Sequence, residues 1–115
     1  MTTTEQRDLN ERLAKWRFKS DGYISGVGAS IYVRFGVNFS SSWDPCNDIE
    51  QALELLEHWA DGGKLRMYIC GRQPDVPIRF CDLFLNGEGH DKQLAMAEAD
   101  TLALAICKAL VAAIR

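Results

Sequence analysis

Histidine is scarce in this 115-residue chain, with two, and the four cysteines stand far apart at positions 46, 70, 81 and 107. No CxxC, HxxxH or HExxH spacing occurs, so no metal site is expected. The glycines of GYISGVGAS (Gly22, Gly26, Gly28) do not follow the GxxxxGK[ST] pattern and precede a strand rather than opening a helix, which argues against a phosphate-binding loop. No cofactor is expected. The longest uncharged run near the C-terminus, Thr101 to Cys107, is far short of the ~20 residues that a membrane span needs. The opening MTTTEQRDLNERLAK has no apolar signal core. A formal charge of −3 and a pI near 5.3 disfavour a dedicated nucleic-acid binder, which is usually basic. With neither an export signal nor a span, the expected location is the cytoplasm, where cysteines remain thiols.

The composition, 47% apolar and 25% charged, is that of an ordinary globular domain. A chain this long buries roughly 60–70% of its unfolded surface without metal or disulfide staples, and one domain over 1–115 is expected. Charge is distributed in blocks. Arg7, Arg12, Lys15, Arg17 and Lys19 make the first segment basic; Lys64, Arg66, Arg72 and Arg79 do the same further on. Between them Asp44, Asp48, Glu50, Glu54, Glu57 and Asp61 stand without any Lys or Arg.

The periodicity predicts an α-β-α-β-β-α order. Thr3 or Thr4 caps a first helix that runs to Phe18, with Leu9, Leu13, Trp16 and Phe18 on its apolar side. After a glycine-containing linker, Ile31, Val33, Phe35, Val37 and Phe39 alternate as one strand. Asp44 as N-cap and Pro45 at the first helical position start the second helix. Ile49, Ala52, Leu53, Leu56 and Trp59 face inward there, and Gly62-Gly63 ends it. Leu65 to Ile69 and Ile78 to Leu85 form a hairpin. Asp91 then caps an alanine-rich final helix with a core stripe at Ala99, Leu102, Ile106, Ala109, Leu110 and Ala113. A second strip through Ala97, Leu104 and Val111 serves either a homodimer or packing of the first helix. The fold class is an α+β sandwich: a three-stranded, mainly antiparallel sheet with helices covering its faces.

Glu50, Glu54, Glu57 and Asp61 are spaced 4, 3 and 4 apart and line one side of a helix. Like charges so spaced repel by about 0.2–0.5 kcal/mol per pair, so helix stability does not account for them. The row is either a solvated face or a docking surface for a basic protein, with Trp43 and His58 at its edge. The alternative site is a nucleic-acid- or nucleotide-binding hairpin carrying Lys64, Arg66, Arg72 and Arg79 beside Tyr68. Catalytic readings are weaker. Cys46 in a first helical turn gains some thiolate character from the dipole, which Asp44 and Asp48 oppose. His58 among carboxylates and His90 beside Asp91 are general-base geometries without anything to position a substrate. Cys70 and Cys81 face each other across the hairpin as a thiol pair. No catalytic residue is expected.

Two segments carry a family resemblance: Trp43-Asp44-Pro45-Cys46-Asn47-Asp48 entering a helix with Ala52 and Leu56, and the closing Ala97-Glu98-Ala99-Asp100-Thr101-Leu102-Ala103-Leu104-Ala105-Ile106-Cys107-Lys108-Ala109-Leu110. From about residue 41 to the end, the chain resembles the phage ABA-sandwich proteins, which are small phage and prophage proteins. The family pattern usually has Ser or Thr where this chain has Cys46 and Asn47. The resemblance implies an α-β-α sandwich and a phage or prophage origin, hence the cytoplasm of a bacterial host. By analogy with other small phage accessory proteins, it implies non-enzymatic binding of a host or phage protein, with a host defence complex such as a CRISPR effector as one target.

Overall fold

The computed structural model describes residues 2–19, 23–25, 28–35, 39–87 and 90–114. Their elements are, in order, α1 (Thr3–Phe18), β1 (Tyr23–Ser25), β2 (Ile31–Phe35), β3 (Phe39–Trp43), α2 (Ile49–Asp61), β4 (Arg66–Arg72), β5 (Arg79–Gly87), β6 (His90–Ala99) and α3 (Leu102–Ala113). The architecture is an α+β sandwich with two antiparallel sheets, β1-β2-β3 and β4-β5-β6.

α3 is the centre of the molecule. Ala103, Ala105, Ile106, Cys107, Ala109, Leu110 and Val111 are buried around most of its circumference, as expected for a helix that is apolar on nearly every side. One side packs on β4, β5 and β6 and another on α1 and α2. The expected second strip does not form on one helix: Ala97 lies on β6, while Val111 is buried in α3, and α1 packs against α3.

Several expected boundaries move. The N-cap of α1 is Thr2, whose hydroxyl accepts from the Glu5 amide. The single strand expected from Ile31 to Phe39 is two strands, with Phe35 opposite Phe39 in the β2–β3 ladder. Alternation alone does not distinguish a continuous strand from two paired ones. Val37 lies outside the described residues, as do Gly22 and Gly26.

α2 begins four residues later than the Asp44-Pro45 signal. Asp44 to Asn47 is a turn closed by the Asn47 amide on the Asp44 carbonyl at 3.0 Å. Asp followed by Pro is also the signature of positions i and i+1 of a type I turn. Asp48 is the true cap, accepting from the amides of Glu50 and Gln51. The buried side of α2 is Ala52, Leu55, Leu56 and Trp59. Ile49 and Leu53, expected inside, are each 40% exposed.

The largest departure is at 91–99. Asp91 caps no helix; His90–Ala99 is β6, paired with β5 through a register shift at Leu83/Phe84. α3 starts at Leu102 with Thr101 as cap, its hydroxyl accepting from the Leu104 amide at 3.3 Å. Intrinsic helix propensity, alanine's included, is a weak preference that tertiary context overrides, and here pairing with the β5 edge does so. Ala95 and Ala97 lie opposite the buried Leu83 and Cys81. Their small side chains leave room for α3 on that face.

The opposite face of this sheet carries Met67, Ile69 and Met96, which are 45%, 54% and 47% exposed. The described helices therefore cover one face of the sheet rather than both.

Candidate functional site

The acidic row forms as the helical spacing predicts. Glu50, Glu54, Glu57 and Asp61 are all exposed, on the side of α2 opposite Ala52, Leu55, Leu56 and Trp59. Asp48 and Glu50 sit at the helix N-terminus, where negative charge is favourable. Asp61 sits in its last turn, where the macrodipole makes negative charge costly, and Glu57 one turn earlier adds like-charge repulsion. Neither local helix energetics nor core packing accounts for those two carboxylates.

The last turn of α1 flanks this row. Arg17 places its guanidinium on Glu54, with Nε and Nη2 at 2.8 and 2.7 Å from the same carboxylate oxygen. The same guanidinium lies over the Phe18 ring at 5.2 Å, and Phe18 meets Trp43 edge to face at 5.4 Å. Arg17, Phe18, Trp43, Glu50, Gln51 and Glu54 line a shallow groove of about 300 Å³. Trp43 is 6% exposed, so it supports the groove instead of projecting as an exposed anchor. His58 is exposed and stands edge to face against Trp16, with centroids 5.2 Å apart. Among the described residues, Glu54 is the one carboxylate of the row held in an ion pair.

The four basic residues of the alternative site do not converge. Arg66 donates from Nη1 to the Trp59 carbonyl at 3.1 Å and lies over the Trp59 ring at 5.4 Å. It thereby satisfies one of the last carbonyls of α2. Gly62 permits this, because a Cβ there would meet Arg66 Nη1 at 2.7 Å. Arg72 and Arg79 face each other at the far end of the β4–β5 ladder. Six strand positions separate Arg66 from Arg72, roughly 20 Å at the usual rise. Lys64 is exposed before β4. Among the described residues the ion-pair partner of the acidic row comes from α1, through Arg17 on Glu54, while the hairpin's Arg66 meets the helix at its last carbonyls.

Cys46 loses the rationale that its expected place gave it. Cys46 lies in the turn before α2, fully buried, with its sulfur on the Gln6 carbonyl at 3.6 Å. It is not in the helix's first turn and receives no dipole of the kind expected. The His90 side chain lies outside the described residues. Among the described residues no group of three or more His, Cys, Asp or Glu side chains is arranged to hold a metal ion.

No family model, curated protein or solved structure matches this chain. What the arrangement does chemically follows from its own geometry. An exposed carboxylate row beside an aromatic-floored groove suits a Lys or Arg side chain: the alkyl stem lies on the ring and the cation reaches the acids. Arg17 over Phe18 and against Glu54 is an internal instance of that contact.

Neither the groove nor the pairing of Arg17 with Glu54 has a local signature in the sequence. Arg17 and Glu54 are 37 positions apart, and no local pattern joins a basic residue in one helix to a particular acid in another.

Proposed function

We propose that this chain is a small accessory protein of phage or prophage origin that acts without catalysis, by docking its acidic α2 face on the basic surface of another protein. The observation that carries the reading is the placement of Glu57 and Asp61: both exposed and aligned with Glu50, with Asp61 set where the helix dipole disfavours it. Clustered carboxylates accelerate association with a basic partner and make it sensitive to salt. A large basic surface is the electrostatic footprint of nucleic-acid binding, which makes a host defence complex such as a CRISPR effector a fitting target class. The phage provenance rests on the resemblance of the Trp43–Asp48 and Ala97–Leu110 segments.

The test is capture from bacterial lysate on the immobilised protein at low and high salt, with mass spectrometry of what is retained. A specific partner should be held at low salt and released at high salt. Glu50→Lys/Glu57→Lys/Asp61→Lys should slow its association about 10-fold or more. Retention unchanged by both salt and the triple reversal would refute the acidic-face reading. Arg72 and Arg79 stay adjacent on β4 and β5 and sustain the nucleic-acid alternative. Arg72→Glu should abolish retention on single-stranded DNA if that alternative holds and leave protein capture untouched if it does not.

A further inference from the structure

Cys70 on β4 and Cys81 on β5 are directly opposite in the ladder, with their sulfurs 3.4 Å apart. The kind of pair they occupy follows from the ladder's ends. Gln73 donates its amide to the Ile78 carbonyl at 3.0 Å, and Asn86 donates to Leu65 at 2.8 Å. Both are hydrogen-bonded pairs of the same register. Alternating inward from either end makes Cys70–Cys81 a non-hydrogen-bonded pair. In such pairs the Cα atoms approach to about 4.5 Å and the side chains converge, which lies within the ~4.4–6.8 Å that a disulfide spans. β4 is an edge strand of its sheet, and Cys70 is half-buried there, whereas Cys81 is fully buried.

We propose that Cys70 and Cys81 are a dithiol site that closes reversibly to an intramolecular disulfide by exchange with a small-molecule disulfide. Cys70 is the attacking group because a small reagent can reach it. Its thiolate attacks one sulfur of the external disulfide, forming a mixed disulfide on Cys70 and releasing one thiolate. Cys81 then attacks Cys70 Sγ, expelling the second external thiolate. The released thiolates take up the two protein protons. Two protein thiols are oxidised to one disulfide, and one external disulfide is reduced to two thiols.

The electrostatics support this division of roles. The Cys81 thiol, donating a hydrogen bond to an ionised Cys70, pulls the Cys70 pKa below the ordinary value against the effect of burial. The same contact pushes Cys81 up, followed by burial and the charges of Cys70 and Asp82. Once Cys70 carries the mixed disulfide, its charge and its hydrogen bond no longer hold the proton on Cys81. Cys46 and Cys107 are both fully buried, out of reach of the external reagent.

The experiment uses the full chain with excess oxidised glutathione, followed by alkylation in denaturant and mass spectrometry of the peptides. Expected is the loss of two of the four alkylatable thiols, a single cross-link between the peptides of Cys70 and Cys81, and full recovery with dithiothreitol. Cys81→Ser should stop at glutathione on Cys70, and Cys70→Ser should take up none. A wild-type chain that keeps all its thiols overturns the proposal. So does one that accumulates a stable glutathione adduct, or that links Cys46 or Cys107. The wild-type time course decides the matter even if Cys81→Ser fails to fold.

Discussion

Asn10 sits in α1, fully buried, and its amide serves three groups. Nδ2 donates to the Ala29 carbonyl and to Asp44 Oδ1, both at 2.8 Å, and Oδ1 accepts from the Cys46 amide at 3.3 Å. It ties the first helix to the turn before α2. Nothing in the sequence marks it, because in a charged amphipathic helix an asparagine resembles any surface residue. Asn10→Ala leaves an acceptor carbonyl, a carboxylate and an amide without this partner. It should lower the unfolding free energy by about 2–4 kcal/mol in a denaturant titration; a loss under ~0.5 kcal/mol would show that water replaces the amide. Trp43 teaches the converse lesson. Its identity suits an exposed anchor, yet the packing of Phe18 against it turned it into a buried support.

At the scale of elements, α2 was legible as a helix and its start was not. Asp44-Pro45 and Asp48 both satisfy local rules, and the contacts of Asp44 with Asn10 and Asn47 engage its carboxylate outside any cap. Asp48→Ala should therefore cost about 1 kcal/mol of stability, measured by thermal or denaturant unfolding. The acidic row makes a second prediction for this helix. Asp61→Lys should stabilise the fold by about 0.3–1 kcal/mol, since it relieves both the dipole conflict and the like-charge repulsion. Paired with weaker partner capture, that gain would separate the functional role of Asp61 from a structural one. A destabilised Asp61→Lys chain would instead mean that the carboxylate serves the fold. β6 departs furthest from its local signals. Residues 91–99 have helix-forming composition, and only the open edge of β5 makes them a strand.

For the whole molecule, α3 connects the sheet to the other two helices, and its thiol at Cys107 reports on global stability. Burial, and then a hydrogen bond with Cys46, hold the Cys107 pKa well above its ordinary value of 9.0. A folded-state pKa above the unfolded one leaves stability intact below the unfolded value. Stability then falls as pH rises past it, because only the unfolded chain releases the proton. Unfolding free energy should decline from about pH 8.5 upward. Cys107→Ala should make that decline shallower, whatever it does to stability at neutral pH. Equal slopes in denaturant titrations at pH 7.5 to 10 would contradict the assignment.

The sequence by itself determined the α+β class, the three helices, the β4–β5 hairpin and the exposure of the acidic row. Each of these follows from spacing within a few turns or strand positions. Tertiary structure decided the rest. It made β6 a strand, divided the stretch from Ile31 to Trp43 into a paired β2 and β3, scattered the basic residues along the hairpin and brought Arg17 to Glu54. Those outcomes depend on which distant backbone edge or side chain is close enough to pair, and local periodicity carries no information about that.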